Sequence, residues 1–158
     1  MGSSYLPGTG AWAKIKLAAM RYLIAILALA GIVVSSLALQ VHYSTGTEPC
    51  SINEKWDCGI VNHSSYSMFE HVPVAAIGIA GYLALALLAL ARRRGLLFTA
   101  TLLALGFALY LTHIEKDILE VWCLYCVISQ GIIALLTLLS LGWLVSMEMA
   151  KLRGKKHS

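Results

Sequence analysis

Four long apolar runs, 22–39, 72–91, 96–114 and 121–145, dictate what this chain can fold into. Each reaches the roughly 18–20 residues that cross about 30 Å of hydrocarbon as a helix. In lipid a lone segment must satisfy its own backbone groups, which a helix does. With 59% hydrophobic and only 13% charged residues in 158, a soluble domain could not bury so much apolar surface. The expected fold is therefore an all-α membrane protein, a single four-transmembrane-helix bundle occupying 1–158. No internal repeat or low-complexity segment interrupts it.

Charge placement predicts the orientation. Lys14, Lys16 and Arg21 precede the first run, and Arg92, Arg93 and Arg94 join the second to the third. Lys151, Arg153, Lys155 and Lys156 follow the fourth, so ten of the 12 basic residues fall in these segments. Lys55 and Lys116 lie in the remaining loops, among Glu48, Glu54, Asp57, Glu115, Asp117 and Glu120. Under the positive-inside rule both termini and the arginine loop face the cytoplasm, and residues 40–71 and 115–120 face outside. The net charge of +4 is thus a topology signal rather than a nucleic-acid footprint. Ser36-Leu-Ala38 looks like a small-x-small cleavage site. However, the run before it exceeds a usual signal core, and cleavage would break the charge alternation, so a retained helix is expected. The start MGSSYL lacks the Ser or Thr at position six of a myristoylation motif.

All four cysteines then fall on the oxidising side, where disulfides form and persist. Cys50 and Cys58 sit in the long outer loop; Cys123 and Cys126 open the fourth run as C-x-x-C. That spacing suits a redox dithiol, a structural disulfide or half of a metal site. A Cys123–Cys126 bond closes almost no loop and would stabilise little, whereas C-x-x-C is the usual geometry for a bond made and broken in turnover. A zinc ribbon would want a second C-x-x-C, while seven residues separate Cys50 from Cys58. Helix geometry predicts Cys123 in the first turn of the fourth span and Cys126 one turn later on nearly the same face. A thiol pair in a membrane needs an electron acceptor, and quinones are the lipid-soluble two-electron carriers. Ser129 and Gln130, one turn beyond Cys126, are polar residues inside an apolar run. Such groups face the bundle interior, either to bind a ligand or to join helices.

From "CSINEKWDC" through "DCGIVNHSSYSMFEHVP" and "GIAGY" to "ALYLTHIE" and "WCLYCVIS", the chain resembles the vitamin K epoxide reductase family, in its bacterial disulfide-forming branch. The resemblance implies a four-helix bundle around a quinone of the ubiquinone, menaquinone or vitamin K type. It implies that Cys50 and Cys58 form a shuttle pair and that Cys123 and Cys126 form the quinone-proximal pair. It places Ser64 near the quinone headgroup. Two positions depart from the animal branch: Val74 stands where those members have Asn, and Gln130 where they have Tyr. Both departures favour an ordinary quinone over the epoxide. Bacterial members often carry a fused thioredoxin-like domain. The 13 residues after Val145 cannot hold one, so the expected donor is a separate periplasmic or lumenal thioredoxin-fold protein.

The outer loop carries Ser67-x-x-Glu70, a capping-box pattern, with Tyr66, Met68 and Phe69 as apolar contacts. The expectation is a short surface helix lidding the quinone cavity, with Phe69 against the quinone. Pro73 suits the first turn of the second span. Asn62-His63-Ser64 matches a glycosylation sequon, and His63, His71 and His113 are candidate proton handlers. Trp56, Trp122 and Trp143 are expected to anchor span ends at the interface. The functional expectation is a quinone-linked thiol–disulfide oxidoreductase of a bacterial inner membrane, with no nucleic acid and no metal. Its rivals are a vitamin K epoxide reductase and a non-enzymatic four-span scaffold held by structural disulfides.

Overall fold

The computed structural model describes residues 9–46 and 50–156, which leaves the MGSSYL start and Glu48 outside the described residues. In chain order the helices are α1 (Thr9–Tyr43), α2 (Cys58–His63), α3 (Val74–Leu90), α4 (Arg94–Ile114) and α5 (Leu124–Lys156). The strands β1 (Met68–Phe69) and β2 (Val72–Pro73) form a small hairpin between α2 and α3. Three helical stretches are long and apolar enough to cross a membrane: Ile15–Tyr43, Arg94–Leu119 and Leu124–Leu152. Helix α3 is equally apolar but has 17 residues.

Large apolar side chains face outward all around the bundle, Leu103 being 71% exposed and Leu138 66%. Such a surface calls for a lipid solvent, and the protein is an integral membrane protein. With no hydrophobic force between helices in lipid, close packing has to come from small residues. Accordingly α1 meets α3 through Ala28, Gly31 and Ser35 against Gly78, Tyr82 and Ala86. A Cβ on Gly31 would run into the Tyr82 ring, and one on Gly78 would lie 2.9 Å from Ser35 Oγ. On the other side, α4 and α5 are clasped by a 3.0 Å Thr101–Ser140 hydroxyl pair.

Local structure departs from the sequence expectation in the outer loop. Ser67 and Glu70 do not build a capping box: Ser67 Oγ donates to Ser64 O at 2.8 Å, and residues Ser65–Ser67 form one 3-10 turn. The chain then folds back as β1 and β2, with Met68 opposite Pro73 and Phe69 opposite Val72. Glu70 and His71 supply the turn with φ of 45° and 73°. A two-residue hairpin with both central residues left-handed matches strand twist, and that conformation excludes a helix at Glu70. The short helix of this loop is instead α2, ahead of the expected place. Pro73 immediately precedes α3.

Trp143 is likewise no interfacial anchor. It is 1% exposed, buried in the bundle beneath Arg94, whose guanidinium carbon lies 4.9 Å from the ring centre. Trp56 and Trp122 pair with each other, their rings 6.2 Å apart.

Candidate active site

The segment before α2 is stitched to the segment before α5. Trp122 N–H donates to Lys55 O at 2.8 Å and Asp57 N–H to Trp122 O at 3.1 Å, a parallel bridge that brings Cys58 beside Cys123. Asp57 caps α2, its Oδ1 accepting from Gly59 N–H at 2.8 Å and Ile60 N–H at 3.1 Å. Ser51 Oγ donates to the same oxygen at 2.9 Å. Those donors, the Ile60 N–H first, hold the Asp57 carboxyl below its usual range despite some desolvation.

All four cysteines meet in one place. Cys50, Cys58 and Cys123 are buried together with Val41 and Val61, and Cys126 packs against that cluster. Cys50 and Cys58 are joined by a disulfide, with Cα atoms 5.8 Å apart, while Cys123 and Cys126 are free thiols. Cys123 does not lie in the first turn of α5 as helix geometry predicted; the helix begins at Leu124 and Cys123 immediately precedes it. Cys123 is the N-terminal flank of the helix: its carbonyl accepts the Val127 N–H at 3.0 Å, and Glu115 Oε2 accepts its N–H at 3.1 Å. Glu115 opens a five-residue π turn that ends at left-handed Glu120 (φ 54°), and its carbonyl accepts the Val121 N–H.

Two residues here escaped the sequence reading. Glu115 counted as a solvated loop charge, yet it is 4% exposed and its side chain contacts Cys126. Asn62 matched a sequon, yet it is 6% exposed. Its Nδ2 donates to Cys58 O at 2.9 Å and to Cys123 Sγ at 3.5 Å, spanning the two cysteine pairs. The only sequence signal for either was its distance to a cysteine: Glu115 is eight residues before Cys123 and Asn62 four after Cys58.

A cavity of about 270 Å³ opens beside this cluster, between α1, α3, α4 and α5. Cys126, Ser64, Ser129 and Gln130 all stand on its wall, joined by Glu115, Asn62, Tyr66 and Val74. Ser64 Oγ is turned to Val61 O at 2.7 Å, closing α2. Ser129 Oγ and O both bond Tyr82 Oη at 2.8 Å, and Gln130 bonds Thr112. Phe69 lies apart from the cavity: the hairpin turns its side chain outward, 58% exposed, and Tyr66 takes the wall position. None of the three histidines lines the cavity. His63 is tied to Gly59 O and Ser44 O, His113 pairs with Asp117 at 2.6 Å on the surface, and His71 sits in the exposed hairpin turn. The wall is mostly aliphatic with a few polar groups at one end, the composition that suits an apolar ring carrying carbonyl oxygens.

Among curated proteins none matches the chain. The model of the vitamin K epoxide reductase family matches residues 22–141, which run from within α1 into α5 and include all four cysteines. The chain therefore belongs to the vitamin K epoxide reductase family, membrane proteins that link thiol–disulfide chemistry to a quinone or vitamin K.

Proposed function

We propose that this protein is a quinone-linked, disulfide-forming oxidoreductase of a bacterial inner membrane. In this reading it is a four-span bundle with its termini on the cytoplasmic side and its cysteines outside. The observation that carries the relay is the single buried cluster that holds a Cys50–Cys58 disulfide against a Cys123/Cys126 dithiol, with Asn62 touching both. A reduced thioredoxin-fold partner attacks the Cys50–Cys58 bond at Cys50, forming a mixed disulfide with it and releasing Cys58 thiolate. Cys50 is 2% exposed, so this attack requires the loop to swing outward. Cys58 thiolate then attacks the oxidised Cys123–Cys126 bond at Cys123, forming an interloop disulfide and releasing Cys126. The donor's second thiolate attacks the donor–Cys50 mixed disulfide, oxidising the donor and freeing Cys50; Cys50 thiolate then attacks Cys58, which restores the shuttle disulfide and leaves Cys123 and Cys126 reduced.

The cavity residues fit a quinone headgroup: Cys126 faces it, and Ser64, Ser129 and Gln130 offer polar contacts along an aliphatic wall. When bound, a quinone supplies an acceptor for the two electrons and two protons released as Cys123 and Cys126 become a disulfide. Glu115 serves as the base at this step, taking the proton from Cys126 Sγ while its Oε2 holds the Cys123 backbone in place. Val74 on the wall provides no hydrogen bond, which supports an ordinary quinone over the epoxide.

Purified protein given a reduced thioredoxin-fold donor and ubiquinone or menaquinone should form quinol in step with donor oxidation. No turnover with either quinone, together with cysteines inert to mild reductant, leaves a structural-disulfide scaffold as the answer.

A further inference from the structure

At the opposite end of the bundle from the cysteines, a second pocket of about 340 Å³ lies between α1, the α3–α4 turn and α5. Trp143 on its wall is 17 residues past Cys126, or about 26 Å along α5 at the usual helical rise. Arg21, Arg92, Arg94 and Trp143 line it, with Leu17 and Ala18 as its apolar side. Three of its donors, Arg21 Nε, Arg94 Nε and Trp143 Nε1, are shut off from solvent and have no hydrogen-bond partner among the described residues. Buried donors are nearly always paired, and three unpaired ones around one pocket mark a missing acceptor.

Among the described residues, Tyr22 Oη accepts Arg21 Nη2 at 2.6 Å, which still leaves Arg21 Nε without a partner. Of its eight acidic residues only Glu148 belongs to this end, and it is held by Lys151 at 2.7 Å. Helix α4 starts at Arg94 with no side-chain cap, which leaves first-turn N–H groups open at the same place. Arg92 occupies a left-handed position (φ 58°) that glycine fills at less cost, so the turn carries a cation where folding alone asks for none.

We propose that this pocket binds a phosphate-type anion, the headgroup phosphate of an anionic phospholipid in the adjoining leaflet. Two guanidinium forks and an indole N–H match phosphate oxygens, and the apolar side and neighbouring exposed Tyr22 and Leu96 suit an acyl chain.

The test is thermal unfolding of the full chain in detergent, titrated with phosphatidylglycerol, phosphatidylcholine or inorganic phosphate. Phosphatidylglycerol should raise Tm saturably while phosphatidylcholine does not. Arg21→Gln with Arg94→Gln should weaken that response about tenfold or more, as loss of charge-assisted bonds does. Lys155→Gln with Lys156→Gln, which removes the same charge outside the pocket, should leave the response intact. Trp143→Phe keeps an aromatic ring beneath Arg94, at smaller volume, and loses the N–H, and should weaken binding about fivefold. It decides the matter if the arginine variant does not fold. Stabilisation by inorganic phosphate alone, with the same variant dependence, keeps the anion site and makes its ligand a free phosphate. No saturable response to either anion overturns the proposal. So does an equal loss in the lysine control, or Trp143→Phe binding like wild type.

Discussion

The two ends of the bundle handle buried polarity in opposite ways. At the cysteine end the buried Asn62 and Glu115 each bond to backbone or sulfur of a neighbouring segment, so the polar groups are satisfied from within. At the arginine end three buried donors, Arg21 Nε, Arg94 Nε and Trp143 Nε1, have no hydrogen-bond partner among the described residues. The contrast follows from work required. A site that exchanges disulfides must hold its own reactants in register, so its scaffold is closed and self-supporting. The arginine pocket leaves its donors open, which is the arrangement expected where an anion comes from outside the chain.

That contrast can be broken most directly at the sulfurs. Cys126→Ala should abolish steady-state quinone reduction while leaving a single exchange between donor and Cys50–Cys58. Persistent turnover would remove Cys126 as the quinone-facing thiol. Cys50→Ala should accumulate a Cys58–Cys123 disulfide when quinone is present, because the thiol that normally reopens it is gone. Non-reducing peptide mapping that finds Cys58 freely alkylated would separate the two cysteine pairs functionally. Asn62→Ala should cost about 2 kcal/mol in unfolding and slow the interloop exchange, since it strips a buried donor from both Cys58 O and Cys123. Unchanged stability would show that the cysteine end is less self-supporting than its hydrogen bonds imply.

Ser64→Ala should slow quinone turnover about fivefold, the worth of one neutral hydrogen bond, with donor exchange unaffected. Equal rates across quinones would take Ser64 out of the site. The smallest effect is one of pH. The Asp57 carboxyl is held below its ordinary value of 3.8, so its cap is fully present above that value. The cap is lost as pH falls through the lower folded value, and α2 loosens. The carboxylate is largely solvated, which keeps this contribution small. A phosphine should therefore reduce Cys50–Cys58 slightly faster at pH 3 than at pH 5. Asp57→Asn should flatten that difference.

Much of this was legible in the sequence, and what was not shares one cause. Apolar runs showed the membrane helices because lipid demands continuous hydrophobicity, a signal local to each segment. The order of the cysteines pointed to the family for the same reason. By contrast, "IEKDILE" looks like a charged loop until a π turn folds Glu115 inward onto Cys123. Ser67-x-x-Glu70 satisfies a helix-start pattern that loses to the left-handed pair at Glu70 and His71. Trp143 near a run's end reads as interfacial, and only packing beneath Arg94 shows it buried. In each case the folded geometry, a turn conformation or a packing contact, overrode a sound sequence rule.

The 17 residues of α3 rise about 26 Å, short of the roughly 30 Å of hydrocarbon that α1 and α5 exceed. In the four-span reading α3 is therefore where the bilayer must thin, or where flanking side chains must reach for water. Its two ends carry the hairpin beside the cavity wall and the arginine turn. Membrane thickness thus becomes a mechanical load applied to both pockets through one helix. Proteoliposomes of graded acyl-chain length should show quinone turnover falling as the bilayer thickens, and a flat profile would show that α3 carries no such load.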